Sequence, residues 1–333
     1  MMSADTPIPN LEKSPSRRGS RDRLIVAVLL LALAVGLVGL ARSAQWDDIL
    51  SALSRLGWHE LAILLALSLV NYVLRSVRWH LFAHSLGFST PAALNASHYL
   101  GGFAMSVTPG RVGEFVRIRW LARDAGVALD RAFPVVLGDR ASDLASLAIL
   151  LAASLMLAAK GIEGAVFITL LALTAAFVAI HPRLLATVVS TIYRLAGRRA
   201  PRLFARLRRS ALSLEAFAKG GVLLPALLLG MAGWAAEGYA FHLLLTWFGV
   251  DIGLWRALAI FIFSTLAGGL TGAPGGLGGA EAAMVALLSL DGTPLGVAVA
   301  ATAVIRVTTL WFAVAIGLVA FPLAERATFK RGK

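Results

Sequence analysis

The chain is 333 residues long, 58% hydrophobic and only 15% charged, with a mean hydropathy of +0.79. Soluble domains carry about 25% charged residues, so this composition excludes a large water-facing protein and points to one solvated by lipid. The net charge of +13 does not mark a nucleic-acid binder, because the cations cluster between apolar runs as in cytoplasmic loops and no groove-reading motif is present.

Residues 1–23 are polar and rich in Pro, Ser and Arg; they cannot bury a core and are expected to be a disordered cytoplasmic tail. Residues 24–41 follow without a charge for 18 positions. That exceeds a typical signal-peptide core and lacks a small-x-small cleavage site, so it is expected to be a retained first span. Further runs near the 20 residues a span needs are 60–82, 133–158, 163–181, 222–249 and 297–323. Two other apolar regions, 92–125 and 254–290, are interrupted by Pro109-Gly110 and Pro274-Gly275.

Charge orders these segments. With the Arg-rich N-terminus inside, 182–221 carries nine Lys or Arg against the single acid Glu215 and belongs on the cytoplasmic side. So does the basic end, 325–333. Both conditions hold if 92–125 and 254–290 are re-entrant and the other six runs cross. If either broken region alone crosses, a basic segment lands outside. The run 257–280 is uncharged for 24 residues, but it holds seven Gly and one Pro, which suits a buried hairpin better than a lipid-facing helix. The expectation is an all-α polytopic membrane protein with about six transmembrane helices and two re-entrant hairpins. Its membrane domain covers 24–324.

The two halves resemble each other. His80, Leu81 and Gly87 match His242, Leu243 and Gly249 at an offset of 162; Pro109-Gly110 matches Pro274-Gly275 at 165; Arg140 matches Arg306 at 166. Repeat one covers 60–181 and repeat two 222–323. Three crossings separate their starts, so the second copy is inverted. Broken helices at corresponding places in inverted copies mark the binding site of many transporters.

Ionisable residues at membrane depth are functional candidates because they are costly there. Glu114 and Glu281 follow the two breaks, where half-helix N-termini offer free N–H groups. Asp139, Arg140 and Asp143 cluster at the start of one span, and the two Asp share a helix face. Arg140 is expected to pair with Glu114 or Asp143, and Arg306 with Glu281. Glu237 falls near the middle of a span. Arg75 and Arg78 either belong to the site or snorkel to the surface. Arg117, Arg119 and Arg123 are expected to anchor anionic lipid. Gly110, Arg111 and Gly113 line the first break, and Gly275, Gly276 and Gly278 the second. There is no Cys, and the His80–His84 pair lacks HExxH and a third ligand. No metal or cofactor is expected, and no enzyme: neither a Ser-His-Asp spacing nor an Asp-rich metal motif is present.

At these residues the chain resembles the lysylphosphatidylglycerol synthase transmembrane, or flippase-like, family. The resemblance rests on "RSVRW" (75–79), "TPGRVGEFVR" (108–117), "DRASD" (139–143), "APGGLGGAE" (273–281) and Arg306, and covers roughly 60–320. Where relatives often have Glu-Arg, this chain has Asp139-Arg140, keeping the charge on a shorter side chain. The resemblance implies an inner-membrane protein that moves or handles a polar lipid of the aminoacyl-phospholipid, hopanoid or glycolipid class; the loop charges put both termini in the cytoplasm. Anionic phospholipid head groups, and a lipid-synthesis enzyme, are the partners it suggests. The soluble aminoacyl-transferase domain of the bifunctional synthases has no counterpart here, so synthase activity is not implied. Two alternatives stand beside the flippase: an accessory subunit scaffolding a lipid synthase through 182–221, and an intramembrane lipid-modifying enzyme.

Overall fold

The computed structural model describes residues 46–108, 112–158, 165–199, 201–215, 217 and 221–331. The expected tail 1–23 and first span 24–41 lie outside them, as do Pro109, Gly110, Arg111 and Lys219. The described residues form helices and no strands. This follows from apolar runs whose backbone groups find no partner in lipid and must bond within their own segment.

A short helix α1 (Trp46–Leu53) leads into α2 (Trp58–Ser85), where the Gly57 N–H donates to Glu60 at 2.9 Å. Next comes α3 (Ala92–Gly101), tightening into a 3-10 turn at Gly102–Met105, and after the break α4 (Val112–Asp124). The chain continues as α5 (Leu129–Leu157) and α6 (Ala165–Ile180), then α7 (Pro182–Leu195) and α8 (Pro201–Ser213). The second half repeats the order. A long helix, α9 (Leu223–Trp247), precedes α10 (Leu254–Leu270), a 3-10 turn at Pro274–Gly276 and α11 (Gly279–Leu290). The last long helix is α12 (Leu295–Arg306), a π-helical segment at Val307–Trp311 and α13 (Phe312–Arg331).

Among the described residues three helices are long and apolar enough to cross a membrane, Trp58–Ser85, Leu129–Leu157 and Leu295–Thr328; a fourth is added if Thr169–Ile180 and Pro182–Leu195 form one span, bent by 100°. The chain is a multi-pass membrane protein. Helix α9 is 25 residues long and carries Glu237 and His242 in its second half. The uncharged run 257–280 does not form one helix, because α10 stops at Leu270. At 1.5 Å per residue, α3, α4 and α11 reach only about 15–20 Å, short of the ~30 Å hydrocarbon core. The stretch 182–221, read as a basic loop, contains two amphipathic helices, α7 and α8. Pro182 occupies the first position of α7, where its missing N–H costs nothing.

Helix α2 packs along α9. The first hairpin, α3 with its 3-10 turn, lies against α13, whereas α10 of the second hairpin lies against α5. Each hairpin therefore rests on the long helix that follows the other one. Glycines permit the approach: a Cβ at Gly317 would run into the backbone of Phe103 and Ala104, and one at Gly101 would meet the Phe321 backbone at 3.3 Å. Among the described residues two larger apolar clusters stand beside a small third one of Ala145, Ala148 and Ala176. Phe241, Leu244, Phe261 and Ile305 centre one cluster, and Trp79, Phe82, Tyr99 and Ile118 the other.

Candidate functional site

Arg75 and Arg78 stand three residues apart on one face of α2. Opposite them, Asp139 and Asp143 stand four apart on α5. Arg78 Nη2 lies 2.5 Å from Asp139 Oδ1 and 2.7 Å from Asp143 Oδ1, its side chain fully buried. Arg75 Nη2 reaches the other oxygen of Asp143 at 2.5 Å. Neither arginine snorkels. The guanidinium fork can serve two carboxylates at once, and each carboxylate here accepts from more than one arginine. Helix α9 closes the site: Trp234 donates its indole N–H to Asp143 at 3.2 Å, and its ring lies 4.8 Å from the Arg75 guanidinium. A Cβ at Gly230 would come within 2.8 Å of Arg78 Nη1, so α9 approaches closely only because that position is glycine.

Arg140 extends the network outward. It donates to Asp139 at 2.6 Å, lies 3.3 Å from Asp143 and approaches Glu114 in the first turn of α4 at 3.6 Å. Its side chain is 30% exposed and that of Glu114 is 23% exposed, whereas Asp139 is closed off at 1%. The site thus grades from a sealed ionic base to an accessible rim. Gly113 keeps the rim compact, since a Cβ there would strike the carbonyl oxygen of Gly102. Gly110 and Arg111, expected at this break, lie outside the described residues.

The second hairpin carries the same device. Glu281, in the first turn of α11, accepts from the Gly278 N–H at 2.7 Å with one oxygen and from Arg306 Nε at 2.5 Å with the other. Arg306 also donates to the Gly275 carbonyl at 2.8 Å. That carbonyl is available because the chain leaves helical geometry at Gly275 (φ 63°). Gly276 and Gly278 also have positive φ, 69° and 84°, a region that side chains with a Cβ avoid. A Cβ on Gly275 would lie 3.5 Å from Val107, two residues before Pro109. The tips of the two hairpins are neighbours. Just beyond Arg306, in the π-helical segment, the Thr309 carbonyl accepts from the Tyr72 hydroxyl of α2 as well as from the Phe312 N–H. Such segments often mark functional sites within helices.

Glu237 is 4% exposed on α9. It lies within electrostatic range of Arg75, Arg306 and Asp143, beside Asn71. It is therefore near both ionic groups, whereas sequence reasoning placed it only near the middle of a span.

One expectation changes and two features escaped the sequence. Arg117 is not a lipid anchor: it is buried, with its guanidinium 4.2 Å from the Tyr99 ring and 4.9 Å from Phe103, a cation–π arrangement. Arg119 and Arg123 are exposed. Arg256, at the start of α10, bonds with two nitrogens to Asp291 just after α11, pinning the base of the second hairpin. The only sequence signal was that these are the charges flanking an apolar stretch. Trp234 carried none. Among the described residues no group of three His, Cys, Asp or Glu is gathered that could hold a metal ion.

The lysylphosphatidylglycerol synthase TM region family model matches residues 24–317. A UPF0104 membrane protein of Methanothermobacter thermautotrophicus is 24% identical over 322 residues, covering 90% of this chain and 94% of its own. A second UPF0104 membrane protein match from that organism is 29% identical over 92 residues, 28% of each chain. With nearly its whole length matched by the family model, and the paired arginine–carboxylate sites in place, the chain belongs to the lysylphosphatidylglycerol synthase TM region family.

Proposed function

We propose that the protein is a lipid flippase or transporter, not an enzyme, and that the head group of a polar lipid passes between the two hairpin tips while its acyl chains stay in the bilayer. The observation that carries this reading is the pairing of Arg140–Glu114 and Arg306–Glu281 at the rims of two neighbouring hairpins, partly open above a sealed ionic base. An arginine offers a lipid phosphate a bidentate site. A carboxylate offers one to a cationic head group. Together they fit a zwitterionic or aminoacylated lipid, in line with the lysylphosphatidylglycerol in the family's description.

The architecture in this reading is an inverted repeat with two re-entrant hairpins, both termini facing the cytoplasm of an inner membrane. Its supports are the repeated helix order, the exchange of hairpin contacts between halves and the cationic 182–221 segment. The test is reconstitution of the full chain into vesicles of phosphatidylethanolamine and phosphatidylglycerol carrying fluorescent phosphatidylglycerol. A membrane-impermeant quencher bleaches about half of the probe in vesicles without protein and should bleach nearly all of it with protein. Bleaching that stays at half with folded protein present, for the phosphatidylglycerol probe and for an aminoacylated one alike, would contradict the reading.

A further inference from the structure

We propose that Glu237 is a proton-exchange site that links the two ionic groups of the protein. The proton's role in transport rests on the lipid-transport reading above; the existence of the site does not.

The argument begins with who faces whom. From α2 come Asn71, Tyr72 and Arg75; from α5, Asp143; from the end of α12, Arg306. On α9 itself Trp234 is one turn earlier and is committed to Asp143. His242 is five residues further on, turned about 140° around the helix at 100° per residue. Helix α10 brings no charge, since its Arg256 is held by Asp291 at the hairpin base. Each cation near Glu237 already has a closer carboxylate: Asp143 for Arg75 and Glu281 for Arg306, both at 2.5 Å. The Tyr72 hydroxyl donates to the Thr309 carbonyl. Arg117 faces Tyr99 and Phe103 instead. Arg75, Arg78, Arg140 and Arg306 each have a carboxylate within 4 Å, and the further buried cation Arg117 lies in the field of Asp139 and Glu114. Glu237 is buried, with no ion pair of its own among the described residues. An unpaired carboxylate in a low-dielectric interior is costly, and a proton is the simplest charge that balances it.

The same geometry shows how the proton is released. Arg306 has two carboxylates in its field, Glu281 and Glu237. A cationic head group that takes Glu281 frees Arg306 to turn its charge toward Glu237. The Glu237 carboxyl then gives its proton to water and becomes the partner of Arg306. When the head group leaves, Arg306 returns to Glu281 and Glu237 takes a proton back. No other bond changes, and one proton moves for each exchange. The break at Gly275 and the π-helical segment after Arg306 are the two places where the backbone can yield to this movement.

The experiment is infrared difference spectroscopy of the full chain in phosphatidylethanolamine–phosphatidylglycerol vesicles, between acid and alkaline pH. The wild type should show a band in the range of a carboxylic acid shielded from water. Labelling with carbon-13 glutamate should shift it. Glu237→Gln should lose it, whereas Glu281→Gln, which leaves Arg306 without its carboxylate, should move its titration to lower pH without removing it. Superimposable spectra of wild type and Glu237→Gln would overturn the proposal, as would a wild-type band that the glutamate label leaves in place; this last test needs no variant to fold. A lost band supports the site whatever the lipid assay shows, so the two readings fail separately. In that assay, movement of the fluorescent lipid should vary severalfold with pH in the wild type and be flat in Glu237→Gln. A wild-type rate that is itself independent of pH would overturn the coupling.

Discussion

Replacing Arg78 by Met is expected to destabilise the protein by about 3–5 kcal/mol, the cost of leaving buried charge without its partner. Arg78 is fully buried and, among the described residues, is the one that binds both Asp139 and Asp143 at under 3 Å. Met fills similar space but leaves two carboxylates to Arg75 and Arg140 alone. The loss should appear as a lower unfolding temperature in detergent and reduced accumulation in the membrane. Arg78→Met combined with Asp139→Asn and Asp143→Asn removes both charges with their partner and should recover part of the stability. The exposed Arg119→Met, a surface change, should stay within about 0.5 kcal/mol. If Arg78→Met unfolds with Arg119→Met and the wild type, the ionic base is not what holds α2, α5 and α9 together.

The second large effect belongs to Glu281→Gln. Gln can still accept the Gly278 N–H, so the start of α11 survives. What it loses is the charge facing Arg306. Hydrogen bonds to charged groups are worth about 1.5–3 kcal/mol, so lipid movement should fall by at least about tenfold while the protein inserts and accumulates normally. Arg306→Gln should do the same from the other side of the pair. Arg326→Gln, near the end of α13 and exposed, should leave the rate unchanged. Equal rates for Glu281→Gln and Arg326→Gln would remove the second hairpin from the lipid path.

Much of this site was legible because the chain writes it twice. A Pro-Gly break followed by a carboxylate is readable in residue order, and a matched Arg about 166 positions on makes chance agreement improbable. The Glu281–Arg306 contact follows from that pattern. The ionic base was harder to read. Arg75 and Arg78 lie in the second half of an apolar helix, toward its end, where snorkelling is the ordinary behaviour. Only the facing side of α5 turns them inward, and facing sides are not written in sequence. Arg117 shows the same limit: its partners Tyr99 and Phe103 are local in sequence but become a cation site only when the first hairpin folds back. In 182–221, the spacing of Leu184, Val188, Ile192 and Leu195 was a visible helical signal, overshadowed by the count of cations. The bend at His181–Pro182 was likewise marked by its proline.

The central claim is that the second half of the molecule is inverted relative to the first, so that two hairpins enter from opposite faces and meet at their tips. The chain has no Cys, so a single introduced one reports cleanly. Asp251→Cys, just before α10, and Ser89→Cys, at the corresponding place just before α3, both occupy exposed positions. In intact cells an impermeant thiol reagent should label position 251, and it should label position 89 only after the membrane is opened. Labelling of both positions from the same side would contradict the account.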